Sequence, residues 1–233
     1  MSDTIPEIRA RTFPPRTLAM LLAIPVLVLL IVNLVLGLLL FTGIDRQSQI
    51  VLFLRYFDFN DEGTVANWYN TLLLAFACWQ AAHAWLASGN SEGRRQLGWI
   101  GVALVFFYMS LDENLGIHES QSEELREFFD VGGLLYWAWV IPGAIIALAV
   151  AAFFAPFVWK LPHRTRFLII LSGIVYVSGA IGCEMIGGYF YEQAGPGVVS
   201  DLASIMEEVM EMSALILFVF AVQEYRLRDT DTA

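Results

Sequence analysis

The chain has 233 residues, of which 58% are hydrophobic, 14% aromatic and 15% charged, with a formal net charge of −10. Its mean hydropathy is +0.62. A soluble domain is about half apolar and about a quarter charged, so both shifts argue against a soluble globular enzyme and against a disordered chain. The negative balance argues against a nucleic-acid partner, because phosphate binding needs a basic surface.

A membrane-spanning helix needs about 20 mostly apolar residues. Six stretches meet that need: 17–42, 65–88, 96–117, 133–159, 166–191 and 199–222. The first is too long for a signal peptide and no small-residue cleavage site follows it, so it reads as an anchor. Lysines and arginines alternate by loop. Arg9, Arg11, Arg16, Arg94, Arg95, Lys160, Arg164, Arg166, Arg226 and Arg228 fall on one side, and Arg46, Arg55 and Arg126 on the other. Positive residues favour the cytoplasmic side, so both termini are expected there. The expected fold is all-α: a six-helix bundle in a bacterial inner membrane, multi-pass, N-in and C-in. Its parts are a cytoplasmic tail 1–16, a six-span domain 17–225 and a cytoplasmic tail 226–233.

Outside the spans, residues 47–59 read as an apolar-aromatic segment lying at the outer interface, and 122–129 as a short surface helix. Trp68, Tyr69, Tyr136, Trp137, Trp139, Tyr189 and Tyr191 sit near outer helix ends, where an aromatic belt is expected. Cys78 and Cys183 lie in apolar runs and read as small core residues rather than a disulfide.

Charges within a bilayer are expensive and by default mark function. Asp112 and Glu113, followed by His118 and Glu119, end the third span; Glu184 lies in the fifth, and Glu207, Glu208 and Glu211 in the sixth. At about 1.5 Å per residue, Asp112 stands roughly 24 Å above Gln96, Glu184 roughly 27 Å above Arg166, and Glu207 to Glu211 roughly 20–26 Å above Glu224. Three helices therefore deliver carboxylates to one level near the outer boundary. Glu207 and Glu208 are each about one turn from Glu211. Asp112 and Glu119 share a face if their helix continues, and Ser110, Asn114 and His118 form a ladder beside them. Asn33, Asn67, Asn70, Tyr136 and Tyr176 lie at the same level as hydrogen-bond partners.

So many carboxylates cannot all carry charge together in a partly dry pocket: some hold protons, or a cation compensates them. One reading makes Asp112, His118, Glu184, Glu207 and Glu211 ligands of a divalent metal ion (Zn, Mn, Fe or Ca). Glu113 and Glu208 are then the catalytic proton-transfer groups. The protein would be a metal-dependent membrane hydrolase or oxidoreductase acting on a lipid or other hydrophobic small molecule. A second reading is a cation or proton translocator using the same acids. A third is an accessory subunit of a larger membrane complex, with another membrane protein or a further copy of the chain as partner. The Glu-x-x-His pairs of bundle-type di-iron sites do not occur in the sequence.

The loop Asp58-Phe-Asn-Asp-Glu-Gly63 matches the first half of a calcium loop, but Tyr69 stands where the closing glutamate belongs. Gln80 and His83 read as a hydrogen-bonded pair near the inner interface. Gly182, Gly187 and Gly188 read as close-packing positions.

The run Ser110-Leu-Asp-Glu-Asn-Leu-Gly-Ile-His-Glu119, together with Tyr56 to Gly63 and Trp68-Tyr69, resembles a group of uncharacterised bacterial polytopic inner-membrane proteins. They carry an S-L-D-E-x-x-x-x-H-E run at a helix end and an aspartate-rich turn before a span. The resemblance covers the second and third spans best. It implies a bacterial inner-membrane protein and no particular chemistry.

Overall fold

The structure, a computed structural model, describes residues 13–61, 63–87 and 93–231. Among them all regular structure is helical. In chain order the helices are α1 (Pro15–Phe41), α2 (Gln49–Leu54), α3 (Val65–Ala87), α4 (Gly93–Leu115), α5 (Ile117–Ser120), α6 (Ser122–Phe129), α7 (Val140–Val158), α8 (His163–Val177), α9 (Glu184–Ala194) and α10 (Val198–Asp231). A π-helical turn, Ser178–Cys183, joins α8 to α9.

Helices cover each of the six apolar stretches. Three helical segments, Pro15–Phe41, Val140–Val158 and His163–Ala194, are long and apolar enough to cross a membrane. The other long helices, α3, α4 and α10, carry the asparagines, glutamates and glutamines of the sequence reading, and that polar load lowers their apolar content. The structure therefore establishes an all-helical, membrane-capable protein. Six spans and the sidedness of the termini are finer statements than these helices carry.

α10 is the central post. It packs on α8, α1, α3, the π turn and α9, while α3 runs along α4. Its inward stripe of Met212, Leu215, Val219 and Val222 is almost wholly buried, at the three- and four-residue spacing of one helix face. Facing it on α3 are Leu73, Leu74, Ala77, Ala81 and Ala84, also buried. In lipid, helices gain little from the hydrophobic effect and associate by close packing, which small residues permit; the alanines of α3 supply that. α1 and α7 instead turn Leu27, Leu34, Leu38, Ile145 and Phe153 outward, as a surface facing acyl chains would.

Three departures from the sequence reading have local causes. The fourth apolar stretch becomes helical only at Val140, because Gly133, at φ 64°, turns the chain first. α4 stops at Leu115, where Gly116 adopts a left-handed φ of 58°; the helix does not continue, so Asp112 and Glu119 do not share a helical face. Gly182 meets nothing within 4 Å of a built Cβ, so it is not a packing glycine. Gly187 and Gly188 are close approaches, their Cβ atoms meeting Ala203 Cβ at 3.3 Å and the Trp137 ring at 2.7 Å, and so is Gly179, whose Cβ would lie 3.0 Å from Met210 Cβ and 3.1 Å from the Glu207 carbonyl oxygen. Cys78 and Cys183 are free thiols. Arg9, Arg11 and Glu62 lie outside the described residues.

Candidate functional site

The site is built where α3, α4, α8, α9 and α10 meet toward one end of the bundle. Asn70 of α3 is fully buried. Its Nδ2 stands 3.2 Å from Glu113 Oε1, 3.1 Å from Glu211 Oε2 and 3.5 Å from Glu208 Oε2. Three carboxylates from two helices thus converge on one amide, which has only two hydrogens to give. Asn67, one turn earlier on α3, donates at 3.0 Å to Glu113 Oε1 and also to its backbone carbonyl. The Tyr176 hydroxyl on α8 hydrogen-bonds Glu211. The Oδ1 of Asn70 is buried with no donor, an arrangement that native proteins rarely leave without a reason.

The third helix enters through Glu184. The indole N–H of Trp139 donates to Glu184 Oε1 at 2.9 Å, and Glu184 and Glu207 hydrogen-bond each other. The π turn before Glu184 lets the chain pass close to α10 at Gly179. Single π turns inside α-helices occur frequently at functional sites.

The left-handed break at Gly116 has a direct consequence. On an uninterrupted helix, residues six apart point about 120° away from each other. The break folds His118 back, so that its Nδ1 lies 2.7 Å from Asp112 Oδ2, with Nε2 at 3.9 Å from Glu119. The imidazole also packs edge-on against Trp139, with ring centroids 4.5 Å apart. His118 lies beyond the end of α4. Burial alone would lower its pKa, but the hydrogen bond and charge of Asp112, with Glu119 and Glu113, hold it at about 9.

The residues singled out in the sequence therefore fall into three linked groups: Glu113, Glu208 and Glu211 around Asn70; Glu184 with Glu207 and Trp139; and Asp112 with His118. The choice between adjacent acids is resolved by direction, with Glu113 turned toward α3 and α10 and Asp112 toward His118. Asn67, Asn70 and Tyr176 join the site. Asn33 does not; its amide donates to the carbonyls of Leu29 and Phe57 and accepts from Phe59 N–H, which ties the first outer loop to α1. Tyr136 lies under the Arg126 guanidinium at 4.4 Å, Ser110 donates to the Thr71 carbonyl, and Asn114 is exposed. Trp139 was hidden among the belt aromatics, and no feature of the sequence separates it from them.

Among the described residues no group of three or more His, Cys, Asp or Glu side chains is poised to hold a metal ion. The amide of Asn70 stands at the centre of the acids instead. In the outer loop, Asp58 Oδ1 is taken by the backbone and side-chain nitrogens of Asn60, each at 3.0 Å, and Asp61 pairs with Arg55 at 3.4 Å. Tyr69 donates to the Leu22 carbonyl at 2.6 Å, so it stabilises the α1–α3 contact.

Below and beside the acids lies a cavity of about 1300 Å³, walled by α4, α7, α8 and α10. Asp112, Glu113, His118, Glu207, Glu208 and Glu211 line its outer end, and Phe154, Ile170 and Phe218 are among its apolar lining. One wall is α7, which touches α4 and α8 only lightly.

Fold and site together define a class: an all-helical, membrane-capable protein with a buried acidic layer opening on an apolar cavity. Within that class, the chain belongs to the family described as a domain of unknown function, DUF8692, whose model matches residues 21–223. No curated protein and no solved structure matches the chain.

Proposed function

We propose that this is a multi-pass membrane enzyme of the bacterial inner membrane that binds a divalent cation in the acidic layer and acts on a lipidic substrate held in the adjoining cavity. The observation that carries this reading is the convergence of Glu113, Glu208 and Glu211 on Asn70, at the mouth of a cavity of about 1300 Å³. Three carboxyl groups around one amide leave acceptors in excess, and a cation would offset both their mutual repulsion and that excess. Turning the Asn70 amide over would exchange Nδ2 for the partnerless Oδ1 and convert the centre into four oxygen donors, a set that suits hard cations. Glu184 and Glu207, which lie beside each other, would then move protons to and from the reacting group, and Asp112–His118 would form the charged flank of the site. Hydrolysis is the simplest chemistry for such a site: Glu113, Glu208 and Glu211 would hold the cation, and the cation would supply Lewis-acid polarisation of a carbonyl or phosphoryl oxygen.

The topology belongs to the same proposal: six spans, both termini cytoplasmic, the site near the outer face. A reporter fused after Arg228 should read cytoplasmic and one inserted between Glu123 and Asp130 external; both on one side would end the six-span reading.

A proton pathway is favoured only by the Glu184–Glu207 hydrogen bond. Against it, Leu73, Leu74 and Ala77, fully buried, separate Asn70 and Thr71 from the next amide side chain of α3, Gln80.

The deciding experiment is elemental analysis of the purified full chain, with thermal melting in detergent with and without chelator. An ion that binds only the folded state at a hundredfold excess over Kd adds about 2.7 kcal/mol. Chelation should therefore lower the melting temperature, and one metal should restore it. Glu211→Gln should weaken metal affinity while raising the melting temperature of the metal-free protein. A chain with no stoichiometric metal and identical melting with and without chelator overturns the metal reading.

A further inference from the structure

A second cavity, of about 480 Å³, opens outward above the acidic layer. Its character differs from that of the apolar one. Two arginines, Arg46 and Arg55, face five acids, Asp58, Asp61, Glu119, Glu184 and Asp201. Arg55 is engaged by Asp61 at 3.4 Å, so the lining is negative on balance. Aromatic faces complete it. Trp137 and Tyr191 lie with ring centroids 5.3 Å apart, and Gly188 makes room for the Trp137 ring, which a Cβ there would meet at 2.7 Å. Acids beside aromatic faces are the chemistry that recognises an ammonium group. A phosphate or sulfate head without a cation would meet net repulsion.

The two cavities adjoin. Asn60, Asp61, Glu119 and Trp139 border both. Trp139 stands at the partition, fixed by its bond to Glu184 and its contact with His118. The apolar cavity runs from the level of Asp112 down to Trp99. That is thirteen residues of α4, roughly 20 Å, which is longer than half of a hydrocarbon core about 30 Å thick. At its inner end, Trp99 is wholly buried and its indole N–H has no partner.

We infer that the two cavities together bind one long-chain amphiphile with an ammonium-bearing head, the head in the outer vestibule against Trp137 and Tyr191 and the chain in the apolar cavity. Trp139 then marks the level of the bond that joins head to chain, beside Glu184 and His118. This deepens the proposed enzyme reading by naming its substrate class, and it rests on that reading for the chemistry. The binding itself requires no metal.

The test uses the purified full chain in a neutral detergent, in excess chelator, with native mass spectrometry as readout. The probes are hexadecyltrimethylammonium and hexadecyl sulfate, which share a chain and differ in head charge, and a butyl-chain trimethylammonium. The expected result is retention of the long ammonium probe about tenfold over the sulfate, the size of one strong cation–π contact, with the butyl probe lost. Tyr191→Leu should abolish the preference between heads without releasing the chain. Ala147→Trp, which fills the apolar cavity from α7, should release both long probes, and the milder Ala147→Leu should weaken both. Equal or tighter retention of the sulfate overturns the head assignment, and retention of both long probes unchanged in Ala147→Trp overturns the chain assignment. Because metal is absent throughout, failure here leaves the metal reading standing, and failure of the metal reading leaves this one.

Discussion

Two polar layers sit on the same pair of helices and solve opposite problems. In the outer layer Asn70 of α3 faces Glu208 and Glu211 of α10, with Glu113 of α4 joining them, and one amide serves three carboxyl groups. In the inner layer Gln80 of α3 faces Gln223 of α10, and one cation is served by neutral groups. There, Arg226 Nη1 donates to Gln80 Oε1 at 2.7 Å and to Gln223 Oε1 at 3.2 Å, Nη2 lies 3.4 Å from His83 Nε2, and Gln223 Nε2 donates to the Phe13 carbonyl at 3.0 Å. In the inner layer the oxygens of both glutamines receive a donor, while His83 Nδ1 and Arg226 Nε are left without a partner, and the charge sits at a half-buried helix end, where long basic side chains reach water. The layer is a clamp joining α3, α10 and the start of α1. The outer layer is out of balance, with too many acceptors and a carbonyl oxygen left over. Imbalance of that kind is retained for chemistry or ligand binding far more readily than for stability.

The comparison can be broken most severely at Asn70. Asn70→Asp puts a fourth carboxylate among three and removes their shared donor, so the metal-free protein should lose about 3–5 kcal/mol, the cost of a buried uncompensated charge. A divalent ion should return much of that loss; melting curves with and without metal measure it. If Asn70→Asp melts like the native chain without metal, the outer layer is wetter and less coupled than its geometry says.

At the inner layer, Arg226→Leu strips donors from Gln80, Gln223 and His83 and should cost about 2–3 kcal/mol. No metal should rescue it. Rescue by metal would mean that the two layers are not separate.

Trp139→Phe keeps the ring against His118 and deletes only the bond to Glu184. It should cost about 1.5–3 kcal/mol if that carboxylate is charged and about 1 kcal/mol if it is protonated. The size of the effect in a thermal melt therefore reports the state of the Glu184–Glu207 pair.

A pH dependence is expected from His118. Its folded pKa of about 9 lies above the ordinary imidazole value of 6.5. A raised pKa means the folded state holds the proton more tightly, so this stabilisation is full below about pH 6.5 and is lost as pH rises through about 9. Melting temperature followed from pH 6 to 10 should fall across that window in the native chain, and His118→Asn should flatten the curve. The mirror-image trend, with stability gained toward pH 10, would mean that His118 is not paired with Asp112.

The sequence by itself determined what depends on distance along the chain. Apolar run length fixed where helices form, and the rise per residue brought the acids of three helices to one level, because depth along a helix is a linear count. What it could not determine was azimuth and partnership. Asp112 and Glu113 are neighbours pointing about 100° apart, and only the packing of α3 against α4 chose Glu113 for Asn67 and Asn70. The fold-back of His118 onto Asp112 depends on the left-handed turn at Gly116, which a glycine permits but does not announce. Trp139 became part of the site only when the chain ahead of α7 was laid beside Glu184. Gln80, His83 and Arg226 met only because α3 and α10 lie side by side, joining residues more than 140 positions apart. Contacts of that kind are decided by which helix faces meet, and a one-dimensional pattern of hydropathy carries no record of that choice.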